Sequence, residues 1–238
     1  MCGFSTQQMF TAQHTNAVYH QSFEAMQTAV FSSTVNAHCW QRQLTGDFSA
    51  ITQAFESKED LLEISVEDLM ALHLHHEGQD ARDVLIADLL RLERIGAQPS
   101  LNLIRRYARD TADVIFPVDV YSFHVDRAPE PIATYLCTYI GAASELLPNH
   151  FAEQKINIPH MRQALEAEYT GKAEDFDAYL RENFYDLHYS AKSDATLIPC
   201  GNGNLWRLAV DCPGSGILPC IHRAPVEEEG QARLLLIC

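Results

Sequence analysis

Apolar residues recur at steps of three and four through the first part of the chain. The pattern runs through three segments: GDFSAITQAFES, SVEDLMALHLHH and ARDVLIADLLRLERIG. This period places the apolar side chains on one face of an α-helix. Ser65 and Asp68 add an N-cap followed three residues later by an acid, as at the start of a helix. We therefore expect residues 1–110 to be mainly helical, with one short strand in VNAHCWQR.

From about residue 112 the apolar period falls towards two. Five stretches have the alternation or the short apolar runs that are typical of β-strands: ADVIFPVDVYSFHVD, IATYLCTYIG, ATLIPCG, GILPCIHRA and ARLLLIC. Between the second and the third, IPHMRQALEAEYTG and AEDFDAYLRENFYDLHY predict a helical insertion at about residues 159–185. The sequence thus predicts an α+β fold, with a mainly helical region over 1–110 packed on an antiparallel β-structure over 111–238.

Composition and charge narrow the classes of function. The 238 residues are 47% hydrophobic and 21% charged, as in a globular protein with a sizeable core. The formal net charge is −15 and no basic run is longer than Arg105-Arg106, which disfavours binding to nucleic acids or to acidic membranes. The sequence shows no signal-peptide pattern and no apolar segment of membrane-spanning length, so we expect a cytoplasmic protein. Seven irregularly spaced cysteines fit a reducing compartment.

The segment YSFHVDRAPEP, residues 121–131, carries the first candidate chemistry. It is predicted to be a strand up to its prolines, and alternate side chains of a strand share a face. His124 and Asp126 therefore point the same way, with Val125 opposite. The spacing offers an imidazole and a carboxylate side by side.

A second candidate lies near the end of the chain, in CIHRAPVEEEGQARLLLIC. Two apolar runs flank PVEEEG, which has the proline, the charges and the glycine of a β-hairpin connection. His222 and Arg233 are symmetric about Glu227-Glu228, so a simple hairpin would place them opposite each other on neighbouring strands. Opposed side chains of a hairpin share a face. The sequence therefore predicts an imidazole with a guanidinium beside it.

His124, Asp126 and His222 together supply two imidazoles and one carboxylate. This ligand set occupies one face of Fe(II) and leaves other coordination positions open for O₂ and an organic co-substrate. An arginine beside the distal histidine suits the bidentate binding of a carboxylate. The combination predicts a metal site that also binds an organic acid.

The residues of this predicted site resemble a known pattern. The H-x-D…H…P-V-x-x-x-G-x-x-R pattern of the Fe(II)/2-oxoglutarate-dependent dioxygenases is matched by His124, Asp126, His222, Pro225, Val226, Gly230 and Arg233. The resemblance covers about residues 112–238 and implies a double-stranded β-helix, the jelly-roll or cupin-like barrel. It implies that the two histidines and the aspartate bind Fe(II), and that Arg233 binds the distal carboxylate of 2-oxoglutarate. The implied reaction is hydroxylation or demethylation of a small-molecule or protein substrate.

A second resemblance concerns the run FHVDR…CTYIG…E…HR-P…RLLL. It is similar to an uncharacterised bacterial family whose genes often lie near those of zinc-homeostasis GTPases. This similarity implies a metal-related role without a reaction. A metal-binding barrel that performs no oxidation, with zinc as its metal, is therefore the alternative function.

Three residues of the strand after H-x-D alternate along one of its faces: Tyr135, Cys137 and Tyr139. Within the resemblance we expect them to line the pocket, where the hydroxyl of Tyr135 or Tyr139 would bind 2-oxoglutarate. The same pattern also fits ordinary barrel core residues. The sequence leaves both interpretations open.

Two further interpretations compete for the same histidines. In one, Cys200, Cys212, Cys220 and His222 form a closed tetrahedral zinc site, which conflicts with the dioxygenase site because His222 cannot serve both. In the other there is no site: His124 and Asp126 form a hydrogen-bonded pair and His222 is a core residue. The spacing of the cysteines is not the C-x-x-C of a zinc ribbon.

Two other features of the first part of the chain carry candidate chemistry. ALHLHHEG contains His73, His75 and His76, of which the first and third would share a helical face, as a metal-acquisition patch or as a solvated helix end. Met1-Cys2-Gly3 is similar to the start of N-terminal-nucleophile amidotransferases. The predicted helical region itself would cap the barrel, form a homodimer interface or recognise a partner.

Overall fold

The computed structural model describes residues 16–55, 59–110, 114–226 and 230–238. Within them the chain forms strands at β1 Ala17–His20, β2 Ala37–Trp40, β3 Leu61–Ile64, β4 Ser100–Ile104, β5 Phe123–His124, β6 Ala133–Ile140, β7 Glu145–Leu147, β8 Ala152–Gln154, β9 His188–Ala191, β10 Ile198–Pro199, β11 Leu205–Ala209, β12 Ile221–Arg223 and β13 Arg233–Ile237. Its α-helices are α1 Phe23–Thr28, α2 Phe48–Ala54, α3 Val66–Ala71, α4 His76–Arg94, α5 Pro159–Glu168 and α6 Phe176–Glu182. The predicted α+β class is confirmed.

The strands form two sheets. The first has seven strands in the order β1-β2-β11-β6-β13-β4-β3, and the second has six in the order β10-β7-β12-β5-β9-β8. All pairs are antiparallel except β1 with β2. Since neighbours in a sheet are mostly far apart in sequence, both sheets are assembled by long-range pairing.

The seven-stranded sheet uses its two faces differently. One face packs against the helices, where Met26 of α1, Ile51 of α2 and Leu85 of α4 are fully buried. The other face packs against the six-stranded sheet, where Leu136 on β6 and Leu146 on β7 belong to one buried cluster. Because side chains alternate along a strand, Tyr135, Cys137 and Tyr139 of β6 lie in the first layer and Leu136 lies in the second.

The prediction that residues 1–110 are mainly helical is only partly right. α2, α3 and α4 lie in the three segments with the helical period, and Ser65 and Asp68 form a capping box. However, β1 to β4 also come from this region, and β2 and β4 pair with β11 and β13. The helices therefore cover a sheet to which their own region contributes four strands.

The hairpin predicted at the end of the chain is wrong. β12, which carries His222, pairs with β5 and β7 in the six-stranded sheet. β13, which carries Arg233, pairs with β4 and β6 in the seven-stranded sheet. The connection therefore crosses from one sheet to the other, and its predicted midpoint Glu227-Glu228 lies outside the described residues.

The helices predicted for the insertion at about residues 159–185 are confirmed. α5 and α6 lie in the two segments predicted to be helical, although the second segment ends as strand β9.

Within the described residues, every helix is too short or too polar to span a bilayer. Met1-Cys2-Gly3 lies outside the described residues.

Candidate metal centre

Three candidate ligands from different parts of the chain meet at the six-stranded sheet. His124 on β5 lies directly opposite His222 on β12, with their ring centroids 4.5 Å apart. Asp126 follows β5 by two residues, and its Oδ2 lies 3.6 Å from Nε2 of His222. One potential ligand atom from each residue lies within 4.8 Å of the other two. The structure thus brings together the two imidazoles and the carboxylate.

Backbone carbonyls orient both imidazoles in the same way. Nδ1 of His124 lies 2.8 Å from the carbonyl oxygen of Ser122, and Nδ1 of His222 lies 3.3 Å from that of Cys220. A carbonyl oxygen can only accept a hydrogen bond, so Nδ1 carries the proton in each ring. Nε2 then keeps its lone pair, as a metal ligand requires. In both residues the carbonyl belongs to the residue two positions earlier.

The carboxylate of Asp126 is held by β6. The hydroxyl of Thr134 donates to Oδ2 of Asp126 over 2.6 Å. Burial raises the pKa of Asp126. The attraction of His222 and the hydrogen bond from Thr134 lower it by more, so the net pKa lies below the usual value for an aspartate. Burial and then the neighbouring His222 lower the pKa of His124 to about 4. At neutral pH both groups are therefore in the protonation state that binds a cation.

The spacing and exposure of the three groups suit a divalent metal. Ligand atoms at about 2.1 Å from a metal, on adjacent coordination positions, lie roughly 3 Å apart. The 3.6 Å between His222 and Asp126 needs only a small contraction to reach this value. The side chain of Asp126 is 38% exposed whereas that of His222 is 7% exposed. The group therefore opens to solvent on the side of the aspartate, where further ligands can enter.

Arg233 is a buried guanidinium that donates its hydrogen bonds within the described residues only to hydroxyl groups. Its Nη2 donates to Oγ1 of Thr138 over 3.0 Å and to Oγ of Ser144 over 2.6 Å, and Nη1 donates to the Tyr107 hydroxyl over 3.4 Å. Nε has no hydrogen-bond partner in the described part of the chain. Burial lowers the pKa of Arg233. A buried cation ordinarily has an anionic partner, so this one is suited to an anion from outside the chain.

A small cavity of about 20 Å³, enough for roughly one water molecule, reaches Arg233. Tyr107, Gly141 and Pro225 are among its lining residues. Gly141 has a φ of +86°, and a Cβ there would lie 2.9 Å from the Ala232 carbonyl oxygen. Only glycine therefore lets β6 end this close to the start of β13, beside the guanidinium.

The structure does not bring Tyr135 and Tyr139 to the candidate metal ligands. Both belong to the core between the seven-stranded sheet and the helices, and the Tyr139 hydroxyl donates to Asp88 of α4 over 2.8 Å. Thr134 and Thr138 lie on the opposite face of β6, where they contact Asp126 and Arg233. The expectation that the tyrosines line the pocket is therefore corrected, because the other face of β6 points inward.

Sequence reasoning missed the two threonines and His188. The threonines alternate with Tyr135 and Tyr139 in IATYLCTYIG, so the pattern contained them once the inward face was known. His188 lies directly opposite His124 on the neighbouring strand β9. No local signal could have found it, because it lies in a segment predicted to be helical.

The cysteines do not form the alternative zinc site. Cys200 and Cys220 are buried among apolar residues between the sheets, while Cys212 is partly exposed beside the Pro129 and Pro213 carbonyls. In the part of the chain that the structure describes, His124, Asp126 and His222 are the one group of three such ligands close enough to share a metal. Burial raises the pKa of Cys200 and Cys220, which disfavours thiolates.

His73, His75 and His76 are not grouped on one helical face. His73 precedes α4 in an extended segment, His75 is its N-cap and pairs with Asp47 at 3.3 Å, and His76 pairs with Asp80 at 3.3 Å. The side chains of His75 and His76 are 57% and 88% exposed. The arrangement is that of a solvated helix end.

Comparisons of the chain with models of known protein families, with curated proteins and with solved structures returned no match.

Proposed function

We propose that this protein is an Fe(II)- and 2-oxoglutarate-dependent oxygenase that hydroxylates or demethylates a substrate. The observation that carries the proposal is a pair of features on the inward faces of the two sheets. One is a cluster of two imidazoles and a carboxylate with an open side. The other is a buried arginine that makes no ion pair with any described residue. A cation site alone would not need the arginine.

Each residue has a separate role in this proposal. Nε2 of His124, Nε2 of His222 and a carboxylate oxygen of Asp126 would hold the metal. Arg233 would bind the far carboxylate of 2-oxoglutarate, since a guanidinium presents two parallel N–H groups to a carboxylate. Fe(II) with 2-oxoglutarate supplies the oxidation of a C–H bond by O₂. The chain would position the two groups relative to each other.

The two facing sheets are those expected of a jelly-roll barrel, which we propose as the finer description of the fold. In such a barrel the distal histidine and the arginine lie on strands of opposite sheets. β12 and β13 have this arrangement. The change of sheet between them is what allows one residue to bind the metal and the other to bind the far end of the same co-substrate.

The proposal is tested anaerobically, by adding 2-oxoglutarate to protein loaded with Fe(II) and recording the visible metal-to-ligand charge-transfer band. We expect a band in the wild-type protein and none in His222→Ala or Arg233→Ala at the same concentrations. The arginine variant should still bind Fe(II), because it removes no metal ligand. A protein that binds zinc tightly but gives no band would instead be a non-oxidative metal-binding protein.

A further inference from the structure

A third histidine extends the row of imidazoles on the six-stranded sheet. His222, His124 and His188 are directly opposite one another on β12, β5 and β9, so their side chains share the inward face. The rings of His124 and His188 have centroids 5.8 Å apart. His188 is 4% exposed and its Nδ1 has no hydrogen-bond partner among the described residues.

His188 differs from the two metal ligands in how its ring is held. The carbonyl two residues earlier, which binds Nδ1 in both ligands, is here the carbonyl of Asp186, and it accepts from the Gln154 side chain instead. The backbone therefore does not select one protonated nitrogen in His188. Its ring lies beside the metal ligands as a polar group that remains available to another partner.

Lys155 lies on the same side of His124 as His188 does. It is 9% exposed, and its Nζ donates to Oγ of Ser122 over 2.7 Å and to the Pro117 carbonyl over 3.3 Å. Ser122 connects this ammonium to the metal site, because its own carbonyl accepts from His124. In the antiparallel register of β8 with β9, Gln154 lies opposite Tyr189, so Lys155 and His188 are the next residues along the two chains and lie side by side.

No carboxylate neutralises Lys155 by direct contact within the described residues. Asp119 is the acid whose charge acts on it, but the carboxylate oxygens of Asp119 accept from the backbone N–H groups of Tyr121 and Asp110. A lysine is rarely buried without an ionic partner. Lys155 and His188 thus form a second buried polar site, on the other side of His124 from His222.

We propose that the substrate of this protein is a small organic acid with one carboxylate, and that the carboxylate binds between Lys155 and His188. The inference rests on the proposed function. With Fe(II) and 2-oxoglutarate bound, the charges of the metal and Arg233 are balanced by Asp126 and by the two carboxylates of 2-oxoglutarate. Lys155 then remains as the buried charge without a carboxylate in direct contact among the described residues, and a single carboxylate of the substrate would supply one.

The test compares carboxylic acids with their amides: acetate with acetamide, benzoate with benzamide, and phenylacetate with phenylacetamide. Binding is followed through the imidazole nitrogen signals of His188 in full-length ¹⁵N-histidine-labelled protein. Measurements use the Zn(II)-loaded protein with saturating 2-oxoglutarate and the metal-free protein without it. The metal-free measurements are repeated in the Arg233→Met background, so that the other buried cation cannot bind the acid. We expect at least one acid to bind at least tenfold more tightly than its amide.

Substitutions of Lys155 decide whether its charge is responsible. The preference for the acid should fall below twofold in Lys155→Met and in Lys155→Gln, and should return in Lys155→Arg. Lys172→Met, which changes a lysine whose side chain is 78% exposed, should retain it. A lysine that only connects the insertion to the sheet would change the stability of these variants and leave the ratio between acid and amide unchanged.

The outcomes separate this inference from the proposed function. A charge-transfer band without any preference for an acid would overturn the carboxylate site and leave the oxygenase proposal standing. A preference that survives in Lys155→Met and Lys155→Gln would also overturn it. A preference that depends on Lys155 in a protein that forms no band would support the acid site and contradict the oxygenase.

Discussion

A buried polar group lies on each side of β6, and the two groups differ in the charges that they contain. On the helix-facing side, Asp88 of α4 is 1% exposed and accepts from Arg42, Arg91 and Tyr139. On the inward side, Arg233 is 7% exposed and its described hydrogen bonds go to neutral hydroxyl groups. The first group contains both signs of charge, whereas the second contains only a cation.

This difference separates structural charge from charge that suits a ligand. The opposed charges of Asp88 and its arginines join α4 to the seven-stranded sheet, so removing one leaves the others buried and unpaired. Removing Arg233 leaves only hydroxyl groups, which lose one neighbour. Burial alone therefore does not indicate function, and the sign of the partners is more informative.

The largest effect is expected from Asp88→Ala. This change leaves Arg42 and Arg91 without their carboxylate, and should lower the free energy of unfolding by about 3–5 kcal/mol. Urea unfolding followed by circular dichroism measures it. Asp83→Ala on the same helix, where the side chain is 68% exposed, is the matched control and should change stability by less than about 0.5 kcal/mol. Equal effects in both variants would contradict the structural role of the Asp88 network.

Arg233→Met should have little effect on stability and a large effect on ligand binding. We expect the free energy of unfolding to stay within about 1 kcal/mol of the wild-type value or to rise, since the variant removes a buried charge that lacks an ion pair. Affinity for 2-oxoglutarate should fall at least about 30-fold, as when one partner of a buried charged contact is removed. Anaerobic calorimetry and urea unfolding measure the two quantities. Destabilisation as large as in Asp88→Ala would show that Arg233 is structural.

Lowering the pH should destabilise the metal-free protein through its inward face. Burial, followed by neighbouring imidazoles, lowers the pKa of His124 to about 4 and that of His188 to about 3. The unfolded chain takes up these protons near pH 6.5, so it binds more protons than the folded chain below that pH. Stability is therefore full above about pH 6.5 and is lost as the pH falls towards 4.

Thermal unfolding between pH 7 and pH 5 measures this effect. We expect Tm to fall by at least about 4 °C, because each unit of pKa difference corresponds to about 1.4 kcal/mol. His188→Gln should show a smaller fall, since it removes one of the two groups. A flat profile in the wild-type protein would contradict the inferred protonation states.

A finer comparison uses two threonines on the same face of β6. Thr134→Val removes the hydrogen bond to Asp126 and should weaken Zn(II) binding about tenfold, the usual effect of losing a partner that orients a ligand. Thr138→Val removes a hydrogen bond to Arg233 and should leave metal affinity unchanged while weakening 2-oxoglutarate binding. Chelator competition gives the metal affinities. Similar metal affinities in the two variants would indicate that Thr134 does not orient the aspartate.

The smallest effect is expected from the cysteines. Cys200→Ser and Cys212→Ser should each retain bound metal, because neither residue lies in the described cluster of ligands. Metal content after dialysis measures this, with Asp126→Ala as the variant expected to lose metal. Loss from both cysteine variants but not from Asp126→Ala would restore the closed zinc site.

Much of the local structure follows from the sequence pattern. α2, α3, α4, α5 and α6 lie in segments with a helical period, and β2, β6, β12 and β13 lie in segments predicted as strands. Other short strands were missed, among them β1, β3, β4, β8 and β11, because three to five residues carry too little periodicity. Strand β9 was hidden at the end of a helical segment, and His188 was missed with it.

The candidate metal ligands follow from the sequence, because residue type decides which side chains can bind a metal: His124, Asp126 and His222 were predicted as a group and lie together. The fold was needed to show that His222 and Arg233 lie on different sheets, and which face of β6 points inward. Both depend on pairing between strands that are far apart in the chain, such as His124 with His222 and Ile104 with Arg233. Since a shift of one residue exchanges the two faces of a strand, no local pattern can determine this choice.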